Sequence, residues 1–345
     1  MKLAAVIPCF RVRRHIVAVV EGVLQHVDHV FIIDDCCPEL TGDLVLATFP
    51  ADQVTVLRHR ENQGVGAATV TGYSAAFAAG YEVAIKLDGD GQMDPGYIPD
   101  LVQPLLAREA DYTKGNRFYQ REHLTKMPTV RMFGNSVLSL MTKFSSGYWN
   151  IIDPTNGFTA LHAVAAQEVD LVKVDHRYFF ESDMLFRLNI ARAVVKDVPM
   201  PAIYGLEHSN LSIGHVLLEF PVKHLRNLLK RFAYNYLVRD FSVGTIQAVA
   251  GLALTVFGIT FGAVSWIRNA EADRDTPVGT VILATLPIIL GFQLLLAALS
   301  FDIANVPTRP IQKILRPRPW ARLPPVESAG GDRASAAGSL TKDEE

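Results

Sequence analysis

Three carboxylates, Asp88, Asp90 and Asp94, fall within seven positions of the stretch V-A-I-K-L-D-G-D-G-Q-M-D-P, residues 83–95. The apolar run 83–87 reads as a buried strand that ends in an acidic turn. Alternate side chains at a strand end point the same way, so Asp88 and Asp90 can converge on one point. Gln92 adds a neutral oxygen donor. Hard oxygen ligands suit Mg²⁺ or Mn²⁺, ions that are held largely with the help of substrate phosphates. A bare D-x-D also fits a surface turn. The preceding strand, the spacing of Gly89 and Gly91, and Gln92 favour the metal.

The elements that must position this turn alternate. Strands are expected over residues 3–8, 30–33, 54–57, 83–87 and 194–199. Helices are expected over 16–27, from the loop at Gly64 through Ala79, and over 99–107, 129–144 and 178–191. Such alternation implies an α/β fold with a parallel sheet and helices on both faces, and ligands bind beyond the carboxyl ends of its strands. Pro8, Asp34-Asp35 and Asp88-Gly89-Asp90 all fall at that edge. Gly64-Val65-Gly66 lacks a Walker lysine and the full dinucleotide fingerprint. It reads equally as a tight loop before a closely packed helix or as a nucleotide contact.

The chain has 345 residues, 33 Lys and Arg against 35 Asp and Glu, and a net charge of −2, a balance that gives no sign of nucleic-acid binding. Its 49% hydrophobic content is concentrated near the C-terminus, in uncharged stretches at 242–267 and 276–301. Each exceeds the roughly 20 residues needed to cross a bilayer. Residues 214–241 mix apolar and basic side chains, as expected of a segment in the lipid interface. Basic residues flank the outer ends of both apolar stretches, which places those ends in the cytoplasm by the positive-inside rule. Residues 1–213 then form a cytoplasmic domain that carries the acidic turn, 214–241 juxtamembrane helices, and 242–304 a hairpin of two spans at about 243–267 and 277–301. Residues 305–345 form a basic and then disordered cytoplasmic tail. No secretory leader is expected, because Arg11, Arg13 and Arg14 interrupt the first apolar run. Cys9, Cys36 and Cys37 have no zinc or disulfide spacing and are expected to be reduced thiols. Gly251, Gly258 and Gly262 offer small faces through which subunits of a homo-oligomer could pack.

Between these regions lie further candidates. Arg117 follows K-G-N. Arg131 and Asn135 sit four apart on the helix 129–144 and share a face, and Arg presents a planar fork suited to phosphate. D-P-T-N-G-F, residues 153–158, reads as a turn. Glu181 and Asp183 sit near the start of the helix 178–191, where acids also favour the helix dipole.

Together these motifs resemble family 2 glycosyltransferases of the GT-A, Rossmann-like fold, and among them the membrane-bound polyprenyl-phosphate glycosyltransferases related to dolichyl-phosphate mannose synthase. The likeness runs over roughly residues 3–215. A-V-I-P-C-F resembles the opening strand, I-I-D-D-C-C-P the turn that holds base and ribose, and N-Q-G-V-G-A-A the segment near the base. L-D-G-D-G-Q-M-D-P resembles the metal motif. The resemblance implies a nucleotide-sugar site of Pro8, Phe10, Asp34, Asp35, Gly64, Asp88, Gly89 and Asp90, with a metal on Asp88, Asp90 and Gln92. It implies an acceptor-phosphate grip of Arg117, Arg131, Asn135 and Ser209, and a diphosphate contact at His208. Asp88, Asp90, Arg117 and Arg131 are the catalytic candidates. The chain departs from the pattern at Phe10-Arg11-Val12, where Tyr-Asn-Glu is common, and at Cys36-Cys37, where Gly-Ser is usual. It has no Q-x-x-R-W, the mark of processive synthases.

The implied reaction is an inverting transfer of one sugar from a nucleotide diphosphate to a polyprenyl phosphate, at the cytoplasmic face of the cell membrane. A phosphate acceptor is already an anion and needs no base. A hydroxyl acceptor on a lipid-linked glycan would need one, and Glu181 or Asp183 would be its source. A non-catalytic membrane adaptor and a nucleotidyltransferase are the other classes weighed.

Overall fold

Among the described residues, seven strands form one sheet in the order β3-β2-β1-β4-β6-β5-β7: β1 (Leu3–Cys9), β2 (His29–Asp34), β3 (Val54–Arg58), β4 (Val83–Lys86), β5 (Tyr112–Asn116), β6 (Thr159–His162) and β7 (Val195–Pro199). The computed structural model describes residues 1–119, 129–201 and 213–320. The pairs β1–β2, β2–β3, β1–β4 and β5–β7 are parallel, and β6 alone runs against its neighbours β4 and β5. β2 and β4 are buried at every position, as strands covered on both faces must be.

The chain lays β2 and β3 on one side of β1 and then crosses to place β4 on the other. The strand order therefore reverses between β1 and β4, and a crevice opens beyond their carboxyl ends. Pro8 belongs to this geometry. β1 pairs with β4 only as far as Val6↔Lys86, whereas its pairing with β2 continues through Pro8↔Ile33 to Cys9↔Asp34. Pro8 thus lies past the end of the β4 ladder, where a strand tolerates a missing N–H.

The helices are α1 (Ile16–Leu24), α2 (Thr41–Thr48), α3 (Val65–Ala78), α4 (Ile98–Leu106), α5 (Thr129–Ser146), α6 (Ala163–Glu168), α7 (Phe180–Ile190) and α8 (Ile213–Phe232), followed by the two long helices α9 (Val243–Glu271) and α10 (Val278–Ala304). α2, α6 and β6 were not expected from the sequence, and β5 runs through Lys114 to Asn116 where only a short strand-like piece before Lys114 was expected. β6 matters most for the site. Its first residue, Thr159, pairs with Lys86 on one side and Lys114 on the other, so the 153–158 turn is delivered to the carboxyl ends of β4 and β5.

The chain divides into two units, Met1–Asn227 with Pro307–Glu345, and Leu228–Val306. The first unit thus runs to Asn227, past the boundary expected at residue 213, and resumes at Pro307, within the segment expected to be basic and then disordered. Asp111 is the anchor. Its buried carboxylate accepts N–H groups of Val194 (2.8 Å), Ile311 (2.8 Å) and Gln312 (3.0 Å). The Gln312 amide donates to the carbonyls of Leu105 (3.1 Å) and Ala110 (2.6 Å), and the Trp320 ring lies 5.0 Å from that of Phe77. The remainder of the expected disordered tail, 321–345, lies outside the described residues.

In the second unit α9 and α10 are long and apolar enough to cross a membrane, with mean hydropathies of 1.9 and 2.4. Gly251, Gly258 and Gly262 form part of their mutual seam. A Cβ on Gly251 would stand 3.0 Å from the Gly291 carbonyl oxygen, and one on Gly258 2.6 Å from that of Ala284. The small residues expected to join subunits are used inside one hairpin. Asp302 is paired there as well, accepting from Arg231 (2.6 and 3.0 Å) and the Tyr236 hydroxyl (2.5 Å).

Candidate active site

Two clefts open at the carboxyl edge of the sheet, and Asp88 and Asp90 line both. The larger, about 390 Å³, takes Pro8, Cys9, Phe10 and Val12 from the end of β1, Asp35 after β2, Asn62, Gly64 and Val65 before and within α3, and Arg177 and Tyr178 before α7. The smaller, about 140 Å³, is bordered by Gln92, Asp94, Arg117, Thr155, Asn156, Gly157 and Glu181.

The larger cleft separates the two acids after β2. Asp34 faces its own turn, accepting N–H groups of Cys37 (2.8 Å) and Gly42 (3.0 Å). Asp35 lines the cleft, with His59 Nδ1 2.7 Å from one oxygen and the N–H groups of Gln63 (2.9 Å) and Gly64 (2.8 Å) donating to its two oxygens. Burial alone would raise the Asp35 pKa, but the His59 ring and these amides outweigh it and hold the carboxyl below its ordinary value. Gly64 adopts φ +97°, a conformation that favours glycine. The first N–H groups of α3 are already satisfied: Gly66 (2.8 Å) and Ala67 (3.1 Å) donate to the His176 carbonyl. The Gly64-Val65-Gly66 segment therefore packs under the 175–177 loop, and Gly64 and Val65 also line the cleft. Cys9 is part of the same wall, and burial, helped by Asp34, pushes its thiol pKa well up. All three cysteines are free.

The smaller cleft is built on buried charge. Lys86, on β4 and on the same face as Asp88, is 1% exposed; its Nζ lies 2.7 Å from Asp88 Oδ1 and 3.8 Å from Glu181 Oε1. Burial lowers the Lys86 pKa, but Asp88 and Glu181 outweigh it and the net shift is upward. Lys114, fully buried on β5, donates to the Asn156 carbonyl and so ties down the 153–158 turn. Burial brings its pKa down to about 8, even with Glu181 and Asp153 opposing the shift. Burial raises Glu181 despite both lysines. Arg117 forms a fork on buried Asp153, Nε to Oδ2 at 2.7 Å and Nη2 to Oδ1 at 3.0 Å. Asp90 Oδ1 accepts the Gln92 N–H at 3.0 Å, which closes the acidic turn on itself, and Asp94 caps the next turn through the Gly96 N–H at 2.8 Å.

The structure thus brings Pro8, Phe10, Asp35, Gly64, Asp88, Gly89, Asp90, Gln92, Arg117 and Glu181 to one edge, around two joined clefts. It does not bring Asp34 or Asp183 there. Asp183 is buried and saturated, accepting from the Asp175 N–H (3.0 Å), Arg187 (2.8 Å) and Asn227 (2.9 Å). A carboxylate so engaged is a brace between α7 and α8, not a base. Arg131 and Asn135 lie on α5, and the Arg131 side chain, His208 and Ser209 lie outside the described residues. Sequence reading passed over Lys86, Asn156, Arg177 and Tyr178. A lysine two residues before Asp88 in an otherwise apolar strand was the available signal for the first.

Residues 4–170 match the model of glycosyl transferase family 2. The undecaprenyl-phosphate mannosyltransferase of Micrococcus luteus is 30% identical over 190 residues, 54% of this chain and 77% of that protein. This chain belongs to glycosyl transferase family 2. The UDP-N-acetylglucosamine–dolichyl-phosphate N-acetylglucosaminyltransferase of Methanococcus voltae is 26% identical over 65% of this chain and 94% of that one. The polyprenol monophosphomannose synthase of Mycolicibacterium smegmatis is 29% identical over 56% and 75%. The glycosyltransferase has the GT-A-like α/β sheet and the pair of long apolar C-terminal helices expected from the sequence.

Proposed function

We propose that this glycosyltransferase moves one sugar, with inversion at its anomeric carbon, from a nucleotide diphosphate in the larger cleft to the phosphate of a membrane polyprenyl lipid in the smaller. The observation that carries the reading is the position of Asp88 and Asp90 in the wall shared by both clefts. Two bound substrates would meet only there. The polyprenyl and dolichyl phosphates in the relatives' names support the acceptor class.

In the larger cleft Phe10 and Tyr178 offer exposed rings for a flat base, and Asp35, held ionised, accepts from ribose or base. The sugar then projects past Asp88 and Asp90. In the smaller cleft Arg117, oriented by Asp153, presents a cation to the acceptor; the family resemblance would add Arg131, Asn135 and Ser209 to the acceptor grip and His208 to the diphosphate contact. A phosphate oxygen of the lipid attacks the anomeric carbon as the bond from that carbon to the diphosphate oxygen breaks. The leaving diphosphate keeps the electron pair, and no proton need be removed. Orientation across the shared wall supplies a large part of the rate.

Asp88, Asp90 and Gln92 fit Mg²⁺ or Mn²⁺ as an all-oxygen donor set. Among the described residues no group of three His, Cys, Asp or Glu side chains forms a complete site, which suits an ion that takes its other ligands from the donor diphosphate and water. When bound, such an ion stabilises charge on the departing diphosphate.

A second reading has one observation in its favour. Glu181 borders the smaller cleft with its pKa raised by burial, as a base for a sugar hydroxyl would require. The first unit holds the chain on both sides of residues 228–306, the unit that contains α9 and α10. If α9 and α10 span the bilayer, both flanks lie on one face, and their basic residues assign that face to the cytoplasm.

The test supplies the purified full chain with Mg²⁺ or Mn²⁺, labelled nucleotide sugars and either polyprenyl phosphate or a lipid-linked glycan. Label on the monophosphate lipid from one donor is the expected result. Label on the glycan alone establishes the hydroxyl reading, and label on neither removes both.

A further inference from the structure

The loop 175–178, just before α7, is fixed by one carboxylate with two partners. Asp175 Oδ1 accepts the Arg177 N–H at 3.0 Å, and Asp175 Oδ2 accepts from Lys223 Nζ of α8 at 2.5 Å. Glu219, four residues before Lys223, adds an ion pair at 2.6 Å, and the Lys223 ammonium lies 5.4 Å from the centre of the Phe179 ring. α8 reaches the loop a second time through Asn227, which donates to Asp183 while Asp183 accepts the Asp175 N–H. Residues 223 and 227 are four apart and share a face of α8. On its other side the loop lies against the start of α3. A Cβ on Gly64 would stand 2.5 Å from the His176 carbonyl oxygen and 3.1 Å from Arg177 Cγ. The Arg177 stem therefore crosses Gly64 at the wall of the larger cleft.

Arg177 is also the one cationic side chain among the residues that line this cleft, against the carboxylates of Asp35, Asp88 and Asp90. Among the described residues no carboxylate pairs with its guanidinium. A diphosphate entering beside three acids is repelled unless positive charge answers it. Asp88 and Asp90 can be offset by the divalent ion that their donor set suits. Arg177 is the side chain left to answer the phosphates directly.

We propose that Arg177 grips the diphosphate of the bound nucleotide sugar, and that Lys223, which lines neither cleft, positions it by holding Asp175. The guanidinium donates in a planar fork that matches phosphate oxygens, and a cation there gains in value as charge collects on the leaving group. Without Lys223, Asp175 keeps the Arg177 N–H but loses its direct tie to α8, and the loop is free to turn away from Gly64. Arg177 has this role only if the larger cleft is the donor site, the reading proposed above.

The test measures equilibrium binding to the purified full chain in detergent with Mg²⁺, using UDP, GDP, CDP and dTDP by calorimetry and the matching nucleosides by ligand-observed NMR. Arg177 is exposed, so its replacement leaves the core intact. Arg177→Ala is expected to weaken the diphosphate that binds by about tenfold or more, the worth of a charge-assisted hydrogen bond, and to leave its nucleoside unchanged. Arg177→Lys should fall between. Lys223→Met is expected to weaken the same diphosphate several-fold, and Lys223→Arg to restore it. Unchanged diphosphate binding in Arg177→Ala overturns the grip. So does equal weakening of the nucleoside, which would turn Arg177 toward the base. Lys223→Met that lowers Tm yet binds as the wild type does overturns the positioning role. If no diphosphate binds the wild-type chain, the donor reading of the larger cleft falls and takes this assignment with it, an outcome distinct from the others.

Discussion

Lys86 Nζ lies 2.7 Å from Asp88 Oδ1, and the same buried ammonium stands 3.8 Å from Glu181. One cation therefore balances an acid shared by both clefts and an acid of the smaller cleft. A Cβ on Gly157 would come within 2.4 Å of that nitrogen, so the ammonium is held on the turn side too. Lys86→Met should lower kcat by about 100-fold and cost roughly 3–5 kcal/mol, because removing one partner leaves buried acids uncompensated. Lys86→Met with Glu181→Gln should regain much of the stability and none of the activity. Urea unfolding and steady-state kinetics on the two variants make the comparison; recovery of kcat in the double variant would assign Lys86 a purely structural role.

Asp90 borders both clefts and fastens the Gln92 backbone at 3.0 Å. Asp90→Asn keeps that hydrogen bond and removes the charge. Turnover should fall about 1,000-fold or more, and Mn²⁺ binding in the presence of a nucleoside diphosphate, read by the loss of free-ion EPR signal, should weaken. EDTA should abolish wild-type turnover, and Mg²⁺ or Mn²⁺ should restore it. Wild-type activity that survives EDTA removes the ion from the mechanism.

The acidic turn was legible because its logic is local: a strand, its end, and alternating side chains on one face. The use made of Asp183 was not. Arg187 and Asn227 consume its oxygens, and Asn227 comes from a helix far along the chain. Asp34 and Asp35 are adjacent and chemically alike, yet only the register of the turn after β2 decides which one faces the cleft. β6 escaped because T-A-L-H is too short for a periodic signal, although it delivers Asp153 and Asn156 to the site. The spacing of α5 announced a helix but not that its apolar side, with Phe133 and Leu140, would face out, since a moment has the same magnitude whichever way the helix is turned.

Two buried histidines make the catalytic unit sensitive to acid. Burial lowers the pKa of His224, and burial with nearby Arg108 that of His162, each from 6.5 to about 4. His162 Nδ1 accepts the Val164 N–H at 3.2 Å at the start of α6, a bond that requires the unprotonated nitrogen. A lowered histidine pKa means that the unfolded chain takes the proton first. Stability is therefore fully present above pH 6.5 and is lost as pH falls toward 4, by about 3 kcal/mol per histidine at completion. Thermal unfolding in detergent should show Tm falling between pH 7 and 4.5. His224→Phe should begin with a lower Tm, because its bond to Ser145 is gone, but lose less on acidification. An equal loss in the variant would refute the assignment to His224.

Gly66 is constrained by backbone rather than by a flexible neighbour. A Cβ there would stand 2.1 Å from the Asp175 carbonyl oxygen and 2.8 Å from the His176 carbonyl carbon. Gly66→Ala must push the 175–177 loop away from α3, and that loop carries Arg177 and Tyr178 into the larger cleft. Tm should drop by on the order of 5 °C, and KM for the nucleotide sugar should rise while KM for the acceptor stays near its wild-type value. A rise confined to the acceptor would mean that the larger cleft is not the donor site.

Arg117 and Asp153 pose the sharpest question about the acceptor, because their fork could be the whole purpose of the arginine. Asp153 is fully buried, so Arg117→Ala strands its charge and should destabilise the fold by roughly 3–5 kcal/mol. That loss alone would lower activity without saying why. Arg117→Ala combined with Asp153→Asn removes the stranded charge, and most of the stability should return. If Arg117 grips the acceptor phosphate, acceptor KM stays raised about tenfold or more in this double variant, the worth of a charge-assisted hydrogen bond. Donor KM is unchanged. Arg117→Lys should fall between, since it keeps the charge and loses the fork. Acceptor KM returning to the wild-type value together with stability would leave Arg117 as a brace for the 153–158 turn and remove it from the phosphate grip.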